Sequence, residues 1–263
     1  MSSGKPFAHH LQLDAEAIRE AKVALLPGDP FRVPLIAEHL NNAVEVKFNR
    51  EFRTFVGSLD GQPVIVTSTG CGGPSTSVCV EELAQIGVRT FIRVGSTGAI
   101  QPHINVSDVV ITNAAVRLDG ASRTFAPIEY PAVSSFDVTS SLIAAAKSKG
   151  IAYHVGITAS TDTFYQGQER YDSFSGFVPA HLRGSLQEWR SLKVLNFEME
   201  AATLLTMCAA MGLRAGTVCG VVANRAVSEK VTSKELFLKG EQNAIVVAVE
   251  GARLCLSLEP VSV

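Results

Sequence analysis

The sequence predicts one α/β domain over residues 1–263, a mixed central β-sheet flanked by helices. Two observations predict it. Short apolar runs alternate along the chain with stretches of helical spacing, the pattern of strands linked by helices. No repeat, low-complexity tract or linker breaks the alternation. The 46% of hydrophobic residues and mean hydropathy of +0.21 supply a large core, with a surplus that suits an interface between subunits.

In chain order, a polar arm precedes a helix-like piece, Asp14 to Lys22. Val23 to Leu26 is a strand that stops at Pro27-Gly28-Asp29-Pro30, where Asp suits a helix cap and Pro the first helical position. The helix is expected to run to about Leu40. A strand, a glycine turn and a helix start form an anion site. Arg32 in the first turn opposes the helix dipole, which hints that it faces an anion.

Phe52 to Leu59 and Pro63 to Ser68 read as a hairpin around Asp60-Gly61. Thr69-Gly70-Cys71-Gly72-Gly73-Pro74-Ser75 follows, with Ser75 expected to cap a helix ending near Ile86. Val88 to Gly95 is a strand carrying Arg93, and Gly95-Ser96-Thr97-Gly98 reads as a turn whose N–H groups and hydroxyls are open to an anion. Asp108 to Val116 is a strand, Arg117 to Phe136 a loop, and Val138 to Lys149 a helix stopped by Gly150. His154 to Ser160 is a strand. Thr161 to Gly184 is polar and irregular. Leu186 to Leu192 is a short helix, Val194 to Phe197 a strand, and Glu200 to Met211 an apolar helix ended by Gly212. Ala215 to Ala223 is a strand, Asn224 to Glu235 a lid-like loop, and Phe237 to Leu258 the last helix.

The net charge of −2 and pI of about 6.3 call for neither nucleic acid nor an anionic membrane. No apolar run reaches the ~18 residues of a membrane span. Cys71, Cys79, Cys208, Cys219 and Cys255 lie in apolar runs without a CxxC pair, as free thiols of a cytoplasmic protein do.

Three constellations carry chemistry. Gly28 with Arg32, Arg93 with Ser96, and the turn at Gly70 all suit an oxyanion, with Arg50 a fourth candidate. Glu198 and Glu200 flank Met199 where a strand becomes an apolar helix. Carboxylates there suit the dipole, and a partly buried one needs donors such as sugar hydroxyls. Gln168 and Arg170, two apart, point the same way in an extended segment and offer an acceptor and donors to a heterocyclic amide; Phe164 suits stacking on the ring.

From about Phe7 to the last helix the chain resembles the nucleoside phosphorylase family, which includes enzymes acting on uridine and hexameric enzymes acting on purine nucleosides. Ser68-Thr69-Gly70-Cys71-Gly72-Gly73-Pro74-Ser75 running on to Glu82-Leu83, Pro27-Gly28-Asp29-Pro30, Arg93-Val94-Gly95 and Glu198-Met199-Glu200-Ala201 carry the resemblance. Cys71 departs from the aliphatic residue usual there, and Ser96 stands where a threonine is common. The resemblance implies a three-layer α/β/α fold. It implies phosphate held by Gly28, Arg32, Arg93 and Ser96, with Arg50 from a neighbouring subunit. It further implies ribose held by Met199 and Glu200 with Glu198 in support and His10 reaching across from the partner, and uracil met by Phe164, Gln168 and Arg170 with Arg225 as outer support. Glu51, Cys71 through its carbonyl, and Ser75 resemble a K+ or Na+ site at a dimer interface. Purine-type members carry an Asp where this chain reads Val221-Val222-Ala223-Asn224-Arg225. The expected reaction is therefore reversible phosphorolysis of uridine to uracil and ribose 1-phosphate, with inversion at C1′. Inorganic phosphate is co-substrate, and no nucleotide cofactor or catalytic metal is expected. The expected assembly is a hexamer built as a trimer of dimers. Competing readings are a purine nucleoside phosphorylase, a nucleosidase of the same fold, or a non-catalytic nucleoside-binding protein.

Overall fold

A computed structural model describes residues 6–228 and 232–258. In order, its elements are β1 (Phe7–Ala8), β2 (Leu13–Asp14), β3 (Val23–Pro27), α1 (Arg32–Ala37), β4 (Asn41–Asn49), β5 (Phe52–Leu59), β6 (Gln62–Thr67), α2 (Gly73–Gln85), β7 (Thr90–Ala99), β8 (Val109–Leu118), β9 (Ala132–Val133), α3 (Phe136–Ser148), β10 (Tyr153–Thr161), α4 (Ser185–Ser191), β11 (Asn196–Glu198), α5 (Ala201–Ala210), β12 (Arg214–Asn224) and α6 (Lys234–Ser257). Ten strands form one mixed sheet in the order β11-β10-β8-β12-β7-β3-β6-β5-β4, with β9 on β8. β11 also pairs antiparallel with β7 through Asn196↔Ala99 and Phe197↔Gly98, so β7, β12, β8, β10 and β11 close into a ring.

Alternation along the inner strands sorts side chains to two cores. Leu25, Ile92 and Val218 face Val33 and Ile36 of α1, Leu142 of α3 and Val247 of α6. Ala24, Leu26 and Phe91 face Leu83 of α2 and Leu204 and Leu205 of α5. Helices thus cover both faces, the expected α/β/α layering. Burial on both faces is why these strands read as continuous apolar runs. Among the described residues no helix is long and apolar enough to cross a membrane.

Several local expectations fail for identifiable reasons. The stretch Asp14 to Lys22 is not a helix: Asp14 ends β2 and residues 15–20 are turns, with Arg19 and Glu20 at φ +51° and +55°. Asp29 Oδ1 does accept the Phe31 N–H (2.8 Å), but α1 begins at Arg32 and ends at Ala37, short of Leu40. β4 is a strand that the sequence reading left out. It is polar and largely exposed, and among the described residues pairs only with β5, so no apolar period marks it. The β5–β6 hairpin turns through Asp60 (φ +48°) and Gly61 (φ +81°) as expected for a left-handed two-residue turn. Ser75 does not cap α2; Gly72 is the N-cap, and the Ser75 hydroxyl points elsewhere. Gly95 to Gly98 is not a turn, because β7 continues through it, paired to β12 and β11. α6 starts at Lys234, capped by Ser233, so the expected loop ends before Lys234; its residues 229–231 lie outside the described residues.

Candidate active site

The parallel strands β3, β6, β7 and β12 end on one side of the sheet, where ligands of open α/β sheets bind. A cavity of about 470 Å³ opens there, within the usual range for small-molecule sites. Gly28, Arg32, Arg93, Ser96, Phe164, Gln168, Arg170, Glu198, Met199 and Glu200 all line it, and Cys71 joins them. Residues far apart in sequence and singled out separately therefore share one space.

The Thr69 N–H donates to Pro27 O (2.9 Å), drawing the exit of β6 onto the exit of β3. A Cβ at Gly28 would stand 3.2 Å from Gly70 O, a tight contact that a larger residue could make only by shifting the Gly70 backbone by a few tenths of an ångström. Arg32 is buried at the start of α1. Its Nε donates to Glu241 Oε1 (2.5 Å) and its Nη1 to Val94 O (3.1 Å).

Arg93 is the centre of the site. Its Nε donates to Glu198 Oε2 (2.9 Å), and its Nη2 pairs with Glu200 Oε2. Glu198 Oε2 also accepts the N–H groups of Glu200 and Ala201 (2.9 Å each), and Oε1 accepts the Ser160 hydroxyl. Glu198 therefore serves the helix start, as its position suggested. Glu200 is the N-cap of α5, and its Oε1 accepts the Gly72 N–H (2.6 Å), joining the glycine turn to the helix. Burial pushes the Glu200 pKa up; Arg93 pulls it down and Glu198 pushes it up again, and the balance is a raised value. Burial opposes the Arg93 charge, but Glu200 and Glu198 outweigh it and raise its pKa. Burial, then Glu200, raises the Cys71 thiol.

At the other end the Arg170 guanidinium lies 4.3 Å from the Phe164 ring centroid, a cation–π contact. Gln168 and Arg170 do reach one cavity, but not through an extended segment. Residues 166–169 form a turn in which Arg170 N donates to Tyr165 O (2.8 Å) and Glu169 has φ +52°. Arg225 lies behind the pair, with Nη1 donating to Gln168 O (2.7 Å).

Five predicted residues do not line this chain's cavity: Arg225, which backs the Gln168–Arg170 pair, and His10, Arg50, Glu51 and Ser75. The Nδ1 of His10 meets Glu82 Oε1 (2.6 Å), and the N–H groups of His10 and Leu11 donate to the same carboxylate. Arg50 is exposed, 3.8 Å from Glu51. Ser75 Oγ donates within reach of Glu51 Oε1 (2.9 Å) and Thr69 O (2.5 Å), whereas the Cys71 side chain turns to Met199 (4.0 Å between sulfurs). The sequence reading missed Glu241 and Glu169. Glu241 carried a signal, since buried Ala244, Ile245 and Ala248 follow it at i+3, i+4 and i+7, which puts a carboxylate on the apolar stripe of α6.

Fold and site define a three-layer α/β protein whose cavity has guanidinium–carboxylate pairs at one end and an amide–guanidinium pair over an aromatic ring at the other. Residues 22–251 match the Phosphorylase superfamily, and the chain belongs to that family of enzymes. It is 56% identical to the uridine phosphorylase of Escherichia coli over 247 residues, covering 94% of this chain and 97% of that one. It is 54% identical to the uridine phosphorylase of Haemophilus influenzae, covering 94% and 98%. It is 51% identical to the uridine phosphorylase of Thermococcus kodakarensis over 234 residues, covering 89% and 82%.

Proposed function

We propose that this chain catalyses the reversible phosphorolysis of uridine to uracil and ribose 1-phosphate. The observation that carries the reading is one cavity that joins Arg32 and Arg93 to Glu200 and to the Gln168–Arg170 pair. Phosphate sits against Gly28, Arg32, Arg93 and Ser96, which orient it and offset its charge. Glu200, with Met199 beside it, holds the ribose hydroxyls; Glu198 keeps Arg93 and the start of α5 in register. As the glycosidic bond breaks, the ribosyl centre becomes oxocarbenium-like and phosphate attacks C1′ from the face opposite the base, with inversion. The electron pair goes to the uracil ring, where Arg170 and Gln168 meet the growing negative charge while Phe164 stacks. Phosphate is the nucleophile, and no step calls for a nucleotide cofactor or a metal.

A pyrimidine base fits β12 better than a purine. Asn224 stands in the segment where purine-type members carry an acid, and its side chain is committed to Gln101 O (3.1 Å), Ile104 O (2.6 Å) and the Ala226 N–H. Arg50 and His10 lie outside their own cavity and serve the site of a neighbouring subunit in a hexamer of three dimers. Exposed Phe7, Val44 and Phe48 on the same N-terminal part of the chain support such an interface. Glu51, Ser75 and the Cys71 carbonyl hold a K+ or Na+ ion there. Five cysteines without a disulfide fit a cytoplasmic setting. The test is uracil release from uridine by purified protein: release that stops when phosphate is withheld is expected. Release without phosphate would mean a hydrolase, no release a binding protein, and preference for a purine nucleoside the other branch of the family.

A further inference from the structure

We infer that Glu169 is the positioning residue that aims Gln168 and Arg170 into the cavity, an inference that rests on reading this pair as the groups that meet the base. Two side chains separated by one residue share a direction automatically only on an extended strand. Here they sit in a turn, with Glu169 N donating to Gln166 O (3.0 Å) and Arg170 N to Tyr165 O (2.8 Å). The residue between them takes a left-handed conformation, Glu169 at φ +52°. Glycine would adopt that φ without a steric cost, and a glutamate pays one. Its carboxylate supplies the compensation. Oε1 accepts the Gly184 N–H (2.6 Å) and Oε2 the Leu186 N–H (2.7 Å), on either side of the first residue of α4, and the Tyr171 hydroxyl donates to Oε1 (3.2 Å).

The peptide units on either side of Glu169 are held from the opposite direction. Arg225 Nη1 donates to Gln168 O (2.7 Å) and its Nη2 to Glu169 O (3.4 Å), while the Arg225 N–H donates to Ala99 O (2.8 Å) at the end of β7. Glu169 therefore ties the base-facing turn to α4, and Arg225 ties it to the sheet. Donors that stabilise a leaving group act through being placed before the charge develops, and misplacement by ~1 Å costs about a hundredfold in rate. Glu169 acts on the reaction this way, through its neighbours and without touching the base.

The test is steady-state kinetics of the full chain with uridine and phosphate varied separately, for E169A, E169G and E169Q, with R170A alongside and melting temperatures for all. E169A is expected to lower kcat/KM for uridine roughly ten- to hundredfold while the KM for phosphate stays within about twofold. E169G relieves the backbone but lacks the anchor, so it should match E169A. E169Q keeps one of the two acceptor oxygens, so it should lose less than E169A without reaching the parent. Wild-type kinetics in E169G would overturn the inference, because backbone freedom alone would then suffice. So would parent-like uridine kinetics in E169A, or a loss shared equally by both substrates in step with a lowered Tm. An unimpaired R170A would overturn the base-reading assignment itself; an impaired R170A beside a normal E169A would overturn only the role of Glu169.

Discussion

Replacing Glu198 by glutamine should cost more than any exposed substitution in this chain. Its side chain is only 1% exposed and accepts four hydrogen bonds, from Arg93 Nε, the N–H groups of Glu200 and Ala201, and the Ser160 hydroxyl. Ser160 Oγ in turn accepts the Ala202 N–H (2.8 Å), so the first turn of α5 ends on this carboxylate and its partner. A glutamine oxygen can take over the three N–H donors. Its amide group then faces Ser160, whose proton is left without an acceptor, and Arg93 keeps only Glu200 as counter-charge. Breaking a buried pair from one side costs about 3–5 kcal/mol, and a hydrogen bond to a charged group is worth about 1.5–3 kcal/mol. Because Glu200 remains and the shape is kept, a loss of about 3 kcal/mol is expected for E198Q, and about 4–5 kcal/mol for E198A, which also opens a cavity. Urea unfolding at fixed protein concentration measures this, as a lower midpoint with an unchanged m-value. An E198Q unfolding free energy within about 0.5 kcal/mol of the parent, with parental activity, would show that the Arg93–Glu198 pair does not organise the site.

Subunits carrying R50A mixed with subunits carrying R170A should recover activity that neither variant has alone, since one site of a mixed dimer then combines Arg170 of its own chain with Arg50 borrowed from the other; zero recovery despite verified mixed assembly refutes shared sites. Cys71 is the exposed cysteine and the other four are buried, with burial pushing Cys219 up to about 12. A disulfide reagent at pH 8–9 should therefore titrate about one thiol per native chain and five after denaturation, and two or more fast native thiols would contradict this packing. Sulfate, which does not titrate in the working range, should inhibit competitively against phosphate and bind more weakly as pH rises. Glu200 has a raised pKa, so it is uncharged at low pH and gains its repelling charge as pH passes through that raised value. A sulfate inhibition constant that is flat with pH in the parent, or equally pH-dependent in E200Q, would sink that linkage.

How much of this was legible in the sequence depends on whether the cause is local. β3 and β7 are apolar because both faces are buried, and the Asp60-Gly61 turn is set by its own two residues, so both could be read directly. β4 could not, because among the described residues its only strand partner is β5 and its side chains are mostly in water. Gln168 and Arg170 converge for a reason other than extended spacing: the left-handed Glu169 between them, whose anchor lies at Gly184 and Leu186, some distance along the chain.

Arg32 shows the limit most sharply. A cation in the first turn of a helix opposes the dipole, and that argument correctly asks for an anion. The anion this chain itself supplies is Glu241, 209 residues away, whose contact no local pattern could pair with Arg32. The consequence reaches the chemistry. Within one chain, Arg32 faces Glu241 and Arg93 faces both Glu198 and Glu200, so two guanidiniums meet three carboxylates. A phosphate entering such a cradle meets orientation and hydrogen-bond donors but no surplus positive charge. Attraction then comes from charge outside these pairs, and exposed Arg50, which does not line its own cavity, is the group whose proposed place in the neighbouring site would supply it. The carboxylates fix where the arginines point, and in the proposed shared site the borrowed arginine would supply the net charge.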